Sequence, residues 1–349
     1  MNRDRASWDA LLGGGQRNAS TSHVFYLLKR EGQELLAIPT NRRDSPDAVA
    51  LYLPQTWKAR LAKTIFRLAL AGPLARLLPS RGVDLEKTDF TKFLCSLSDN
   101  HLPDFCVLSG NPAEPGRRFL FGLLDEHGRC HQVVKCAADP TGRELIEQEA
   151  TVLGSLGNKL PGIPLVRAAL STDDCSAFAM DFFAAPDRVP SRSERVALVR
   201  QWISEGPPRN FSTLQPVEKP GSPDATGSDP MIKPVIFHGD FAPWNIRQDG
   251  TDWMVIDWEK ARLLGPPLWD LLHYEIHEEI LVNRSSVRKV RMRIRNLVQD
   301  HCVRSYLRDC GAAEHANILL QGYLSHLDRI YPAIRGRQTV DQLIASYKR

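Results

Sequence analysis

The stretch Val235-Ile-Phe-His-Gly-Asp-Phe-Ala-Pro-Trp-Asn-Ile246, followed closely by Trp253-Met-Val-Ile-Asp-Trp-Glu259, is the most informative part of the chain. Two short apolar runs separated by turn residues are typical of paired buried strands, so we predict a two-strand hairpin over residues 235–259. Four polar residues stand on or beside these runs: His238, Asp240, Asn245 and Asp257.

These residue types at this spacing indicate one kind of chemistry. Phosphoryl transfer from a nucleotide needs a carboxylate that orients and deprotonates a hydroxyl, together with oxygen ligands for Mg²⁺. Protein kinases place these groups in a loop H-R-D-x-x-x-x-N and in a later metal-binding Asp. Asp240 and Asn245 have the same spacing, and Asp257 ends an apolar run as that later Asp does. We therefore predict Asp240 as the catalytic base and Asn245 and Asp257 as the metal ligands.

Three neighbouring residues allow more than one interpretation. His238 is a candidate catalytic residue, either as a structural member of the loop that bonds to backbone or Asp257, or as a proton carrier. Glu259 extends the metal shell or pairs with a neighbouring cation. Asp270 fixes the catalytic loop or caps the helix that follows it.

A series of short strands precedes this segment. From about residue 103 apolar runs alternate with turn-rich stretches, which predicts an antiparallel meander followed by one helix. Lys135 closes the run Val133-Val-Lys135 on the third strand. Kinases have at this point a lysine that contacts the nucleotide phosphates and pairs with a helix Glu. The next helix offers Glu144, Glu147 and Glu149 as partners.

The motifs resemble those of a known family. His238-Gly-Asp-Phe-Ala-Pro-Trp-Asn245 and Ile256-Asp-Trp-Glu259 resemble the H-G-D-x-x-x-x-N and I-D-[WF]-E motifs of the aminoglycoside phosphotransferase/choline kinase family. Gly265-Pro-Pro-Leu-Trp-Asp-Leu-Leu272 resembles the Gly-x-Pro-x-x-Asp-Leu stretch of that family. The resemblance covers about residues 103–330 and is strongest over 235–272.

This resemblance implies an α+β fold of the bilobal protein-kinase-like type. It has an antiparallel five-stranded N-lobe with one helix and a mainly helical C-lobe, here preceded by an extra N-terminal α/β region. We predict an accessory region or domain at 1–100, the N-lobe at 101–184 and the C-lobe at 185–349. The last part of the chain should be helical, roughly over 268–282, 285–310, 313–330 and 338–347.

The resemblance also implies nucleotide-binding residues. It favours Glu149 as the partner of Lys135. It places the hinge that meets the adenine at Met180-Asp-Phe-Phe183, with Met180 and Phe182 as the candidate residues. An ordinary buried strand is the alternative for this segment.

The loop over residues 109–118 stands where kinases have G-x-G-x-x-G, and it does not match that pattern. Ser109, Arg117 or backbone N–H groups would have to replace the glycine cradle, and the two prolines of the loop remove two possible donors.

The predicted function is ATP- and Mg²⁺-dependent transfer of the γ-phosphate to a hydroxyl of a small molecule such as a sugar, amino sugar or amino alcohol. The alternative is a weak or inactive kinase-like protein that binds nucleotide or acts as a scaffold. A metal-dependent phosphoesterase is a third interpretation, because His273 and His277 stand at helical spacing. Four acidic residues near the last helices could receive a cationic acceptor: Glu275, Glu278, Glu279 and Asp328. Five arginines in the same part of the chain form either a solvated basic helix face or an anion site, so the charge of the acceptor stays open: Arg284, Arg288, Arg291, Arg293 and Arg295.

The composition and net charge of the chain narrow the class of protein. The 349 residues are 42% hydrophobic and 25% charged, which is typical of a globular protein, and a formal net charge of +4 does not indicate nucleic-acid binding. Seven scattered cysteines without a C-x-x-C pair predict reduced thiols, and the N-terminus has no apolar signal region. We therefore expect a cytoplasmic location.

Residues 56–78 have a different character. Leu61, Ile65 and Leu68 recur at helical spacing among several lysines and arginines, and Pro73 should end the helix. Two interpretations are open: a helix that packs on its own domain, or a basic amphipathic helix that makes peripheral contact with a membrane surface.

Overall fold

The computed structural model divides the chain into two compact units. The first comprises Met1–Asn158 and Pro164–Ala185, and the second comprises Lys159–Ile163 and Pro186–Arg349. The structure describes residues 7–13, 23–30, 32–43, 45, 47–54, 57–111, 115–157, 159–216, 229–330 and 337–347.

The first unit is built on an antiparallel sheet of eight strands. The strands are β1 His23–Arg30, β2 Gln33–Pro39, β3 Ser80–Val83, β4 Asp104–Ser109, β5 Phe119–Leu124, β6 Cys130–Ala137, β7 Ala168–Ser171 and β8 Ser176–Asp181. Their order is β3-β1-β2-β4-β5-β6-β8-β7. Strands β4 to β8 are the five predicted ones, and their antiparallel pairing confirms the predicted fold class of this part.

The sheet has eight strands because the N-terminal region, which was predicted as an extra α/β region, continues the five predicted strands. Leu36 and Ala37 of β2 pair with Leu108 and Val107 of β4. This pairing covers the backbone edge that β4 would otherwise expose. The predicted division at residue 100 stays a prediction; in the structure the strands on both sides of it share one sheet.

The described residues of the first unit contain three α-helices: α1 Trp57–Ala71, α2 Asp89–Ser96 and α3 Pro140–Leu156. Asp139 caps α3 by accepting a hydrogen bond from the N–H of Gly142, and Pro140 occupies the first turn, where its missing N–H costs nothing. Aromatic side chains join the N-terminal region to the meander, since Phe90 packs against Phe121 and Phe25 packs against Phe105.

The second unit is mainly helical, as predicted. Its helices are α4 Arg192–Arg200, α5 Phe211–Leu214, α6 Trp269–His277, α7 Val287–Gln299, α8 His301–Asp309, α9 Ala316–Ile330 and α10 Arg337–Tyr347. The single helix predicted over 285–310 is wrong, because Asp300 has an extended backbone and caps α8 through the N–H of Cys302. Among the described residues, no helix is long and apolar enough to cross a membrane.

Where the structure describes this unit, three two-stranded sheets accompany the helices. They pair β9 Arg209–Asn210 with β10 Met231–Ile232, β11 Val235–Phe237 with β14 Arg262–Gly265, and β12 Ile246–Asp249 with β13 Asp252–Val255. The single hairpin predicted over 235–259 is therefore wrong. Gly250, at a φ of +58°, allows a tight turn between β12 and β13, so these two strands form the hairpin and β11 pairs with β14 instead.

Candidate active site

The loop between β11 and β12 carries three of the predicted residues, and Asp270 fixes its start. The two carboxylate oxygens of Asp270 accept the N–H groups of His238 and Gly239 at 2.9 and 3.1 Å. Burial raises the pKa of Asp270 to about 7, although both hydrogen bonds favour the ionised form. Of the two interpretations of Asp270, the contacts support the one in which it holds the loop.

Gly239 is required by the path of this loop. Its φ is +79°, and a Cβ at this position would stand 2.7 Å from the carbonyl oxygen of Lys260. Both the left-handed backbone and the close approach exclude a side chain. Residues 238 and 240 are thereby held on opposite sides of a sharp turn.

His238 is fully buried, and both of its ring nitrogens bond to backbone. Nδ1 lies 3.1 Å from the N–H of Asp240 and accepts it, so Nε2 carries the proton and donates to the carbonyl of Ile256 at 3.0 Å. Burial lowers the pKa of His238 to about 4. A neutral ring with both nitrogens engaged fits a positioning role, in which His238 ties Asp240 to the segment that leads to Asp257.

The carboxylate of Asp240 has polar partners on both oxygens. Oδ1 lies 3.1 Å from Nε2 of His273, and Oδ2 lies 3.3 Å from Nδ2 of Asn245 and 3.8 Å from Nζ of Lys260. Burial opposes ionisation, but the hydrogen bond from His273 and the positive charge of Lys260 hold the pKa of Asp240 well below its usual range. Asp240 is therefore an ionised acceptor at neutral pH.

His273 and Tyr323 are further functional candidates. His273 was considered from the sequence only for a metal-dependent phosphoesterase, and Tyr323 was not predicted. The hydroxyl of Tyr323 lies 3.1 Å from Nδ1 of His273, whose Nε2 faces Asp240, so the three residues form one hydrogen-bonded chain. The ring of His277 lies against that of His273, with 3.5 Å between centroids. The helical spacing of Asp270, His273 and His277 on α6 could have indicated that these side chains lie on one face of the helix. Nothing near Tyr323 in the sequence indicates that it reaches the surroundings of Asp240.

Asn245 and Asp257 have features that fit metal ligation. The Nδ2 group of Asn245 donates to the backbone oxygen of Asp240 at 2.9 Å, which fixes the amide and leaves its oxygen as the atom for a cation. Asp257 has a φ of +73°, an unusual conformation for a residue with a side chain that costs roughly 1–3 kcal/mol. Such backbone strain is common at ligand sites. The carbonyl of Asn245 accepts the N–H of Ile256, which precedes Asp257, so this hydrogen bond links the two predicted metal ligands.

In the first unit, Lys135 of β6 and Glu149 of α3 form a buried ion pair. Nζ lies 2.8 and 2.7 Å from the two carboxylate oxygens, and the side chains are 6% and 1% exposed. Glu147 is engaged elsewhere, since it accepts hydrogen bonds from Ser171 and Ser176. The structure thus selects Glu149 from the three candidate partners.

The remaining predicted nucleotide residues, Ser109, Met180 and Phe182, lie in strands of the sheet or directly after one. Ser109 is buried at the end of β4 opposite Phe119, and Met180 is buried in β8. The N–H of Phe182 donates to the carbonyl of His131 at 3.0 Å, so this backbone group has a partner within the first unit. The roles of Ser109, Met180 and Phe182 in nucleotide binding stay predictions.

The loop over residues 109–118 is tied down at both ends. The N–H of Gly110 donates to the carbonyl of Arg118, and the N–H of Arg117 donates to Asp139, the cap of α3. Residues 112–114, at its tip, lie outside the described part of the chain.

Three of the four acidic residues considered for a cationic acceptor have internal partners. Arg195 donates to Glu275 at 2.9 Å, and Arg293 donates to Glu279 at 3.0 Å. Asp328 accepts from Arg337. These ion pairs weaken the interpretation of this acidic group as a cation site.

Comparisons with known proteins bear on the same segment. A search of curated proteins finds no match. Among solved structures, a putative fructosamine-3-kinase from Haemophilus somnus 129PT is 12% identical, with a TM-score of 0.42 over 74% of this chain and 96% of that one. The streptomycin–ATP complex of APH(2'')-IIa is 13% identical, with a TM-score of 0.42 over 76% of this chain and 95% of that one. A structure of the aminoglycoside phosphotransferase APH(3'')-Id from Streptomyces rimosus ATCC10970 is 16% identical, with a TM-score of 0.35 over 73% and 98%.

A protein-family model described as the phosphotransferase enzyme family matches residues 226–274. The match includes the loop, both predicted metal ligands, Asp270 and His273. The resemblance drawn from the motifs is therefore confirmed over this segment.

Proposed function

We propose that this protein transfers the γ-phosphate of Mg²⁺-ATP to a hydroxyl of a small molecule. The observation that carries the proposal is the ionised Asp240 beside the fixed amide of Asn245, on a loop that Asp270 holds. The family match over residues 226–274 supports the same reaction class.

Asp240 would accept the proton of the acceptor hydroxyl. Its lowered pKa makes it a weak base, which suits phosphoryl transfer, because most of the barrier is lowered by positioning and by charge neutralisation. His273 would keep Oδ1 oriented, so that Oδ2 faces the hydroxyl. Bound Mg²⁺ supplies neutralisation of the phosphate charge, and Asn245 and Asp257 would hold it.

Lys135 would contact the nucleotide phosphates, oriented by its ion pair with Glu149. Ser109, Met180 and Phe182 complete the proposed nucleotide set. We propose ATP as the phosphate donor because the family that the motifs resemble uses ATP.

For the acceptor we propose a sugar, amino sugar or amino alcohol. The ion pairs of Glu275, Glu279 and Asp328 favour recognition by hydrogen bonding over recognition of a strong positive charge. All seven cysteines are free thiols in the structure, which supports a reducing, cytoplasmic location.

The test is a transfer assay. Candidate acceptors are first selected by thermal shift with Mg²⁺ and a non-hydrolysable ATP analogue, using sugars, amino sugars, amino alcohols and nucleosides. Acceptor-dependent formation of ADP and of a phosphorylated product is expected. Nucleotide binding without transfer to any acceptor would favour the alternative, a nucleotide-binding scaffold.

A second candidate function has one observation in its favour. Ligand atoms of Asp240, His273 and His277 all lie within 4.8 Å of one another, which is compatible with a divalent metal site of a phosphoesterase. The hydrogen-bonded chain from Tyr323 through His273 accounts for the same geometry without a metal. Zinc or manganese in the purified protein, together with ATP-independent phosphoesterase activity, would favour this second candidate.

A further inference from the structure

Helix α1 presents apolar side chains on two opposite faces. Phe66 and Leu70 are buried against the first unit, with 5% and 1% of their surfaces exposed. Leu61, Ile65 and Leu68 follow one another at spacings of four and three residues on the opposite face, where they are 52%, 58% and 65% exposed. The packing that the sequence predicted for this helix therefore explains only one of its faces.

The exposed face continues beyond the helix. Leu74 and Leu77, in the short 3-10 helix Pro73–Leu77, are 57% and 79% exposed. Of the ten exposed large apolar side chains in the described ranges, five thus lie between residues 61 and 77. Single exposed apolar residues need no explanation, but a concentrated group marks an interaction surface.

The charge of the same segment has one sign. Residues 48–83 contain no Asp or Glu, whereas α1 and the 3-10 helix carry five cations. These are Lys58, Arg60, Lys63, Arg67 and Arg76. The whole chain has a formal net charge of only +4, so positive charge is concentrated beside the exposed leucines.

We propose that α1 and the following 3-10 helix bind the surface of an anionic lipid bilayer, with the helix lying in the interfacial plane. Leu61, Ile65 and Leu68 would enter the headgroup–acyl boundary while the cations face lipid phosphates. With 15 residues, α1 is about 22 Å long at ~1.5 Å per residue, too short for a hydrocarbon core of about 30 Å. Two copies of this face would bring like charges together, which disfavours self-association.

The test uses the full-length chain and sedimentation with vesicles. Wild-type protein should bind vesicles that contain phosphatidylglycerol, bind neutral phosphatidylcholine vesicles at least tenfold more weakly, and be released as ionic strength rises to about 0.5 M. The triple variant Leu61→Gln/Ile65→Gln/Leu68→Gln should bind at least tenfold more weakly. Arg60→Glu/Arg67→Glu should lose the preference for anionic lipid.

A matched control removes three exposed apolar side chains from the second unit: Met231→Gln/Leu263→Gln/Met292→Gln. It should bind vesicles as the wild type does. All the replaced apolar side chains are at least half exposed, so unfolding temperatures of both triple variants should stay close to that of the wild type.

Three results would overturn the proposal. The first is that wild-type protein does not bind anionic vesicles at low salt. The second is that the Leu61/Ile65/Leu68 variant binds them as tightly as the wild type does. The third is that the wild type is a dimer in solution while this variant is a monomer. The proposal is independent of the phosphotransferase activity, because vesicle binding is measured without nucleotide or acceptor.

Discussion

Replacing Glu149 by Gln would leave the ammonium of Lys135 buried opposite a neutral amide. The two side chains are 6% and 1% exposed and bond at 2.7–2.8 Å, so water cannot easily replace the lost carboxylate. Removing one partner of such a pair typically costs about 3–5 kcal/mol, because the remaining buried charge loses the carboxylate that compensated it. We expect Glu149→Gln to lower the free energy of unfolding by this amount.

Removing both charges should have a different result. Apolar residues of similar volume often replace a buried ion pair at no cost in stability, or with a gain of ~1–4 kcal/mol. The double variant Lys135→Met/Glu149→Leu should therefore be at least about as stable as the wild type. It should still fail to bind Mg²⁺-ATP, because the cation proposed to contact the phosphates is absent.

Urea unfolding measures the stabilities, and titration calorimetry measures nucleotide binding. The control is Asp89→Asn, which removes an exposed ion pair with Lys92 and should change stability by less than about 1 kcal/mol. Wild-type nucleotide affinity in the double variant would refute the functional role of the pair. Stability of Glu149→Gln within about 1 kcal/mol of the wild type would refute the reasoning on burial.

Three further predictions concern the catalytic loop. The folded pKa of Asp270 is about 7, above its usual value, so ionisation of this carboxyl costs the folded state stability as pH rises. Between about pH 4 and pH 8 the unfolding free energy of the wild type should fall by roughly 4 kcal/mol relative to that of Asp270→Asn. Urea unfolding at a series of pH values measures both. The same pH dependence of unfolding free energy in the two proteins would contradict this prediction. His273→Leu should lower kcat at least about tenfold, with KM for ATP little changed, because it removes the hydrogen bond to Oδ1 of Asp240. Recovery of kcat in His273→Gln, which retains a donor, would support a positioning role for His273. An unchanged kcat in His273→Leu would refute that role. Gly239→Ala should destabilise the protein by roughly 1–3 kcal/mol in thermal unfolding, because residue 239 has a positive φ and its Cβ would meet the carbonyl of Lys260. The control is Gly250→Ala, which also has a positive φ but open space around the Cβ. It should lack the steric part of the destabilisation.

The sequence was sufficient to predict which residues of the site lie together on one loop. Asp240 and Asn245 are five residues apart on one loop, so their spacing already constrains their geometry, and the side chains do bond to each other. Lys135 could be assigned to its strand, but periodicity did not separate Glu144, Glu147 and Glu149. Only the packing of α3 on β6 decides which of them faces the lysine.

Long-range contacts were beyond sequence reasoning. Tyr323 reaches His273 across 50 residues, and no local pattern marks that pairing. The pairing of β2 with β4 likewise depends on which strand edge is open, which alternation of apolar residues does not specify. The break at Asp300 was missed because an Asp within a helical period is also a good N-cap, and only the backbone shows which role it has.

The most direct test of the proposed function is the rate of phosphoryl transfer by Asp240→Asn. The amide keeps the size of the side chain but removes the ionised oxygen that would accept the acceptor proton. With an acceptor found by the thermal-shift screen, kcat should fall by at least about 10²-fold while nucleotide binding persists. The matched variant Asp252→Asn, an exposed residue of β13, should transfer phosphate at the wild-type rate. Full transfer activity of folded Asp240→Asn would contradict the assignment of Asp240 as the catalytic base.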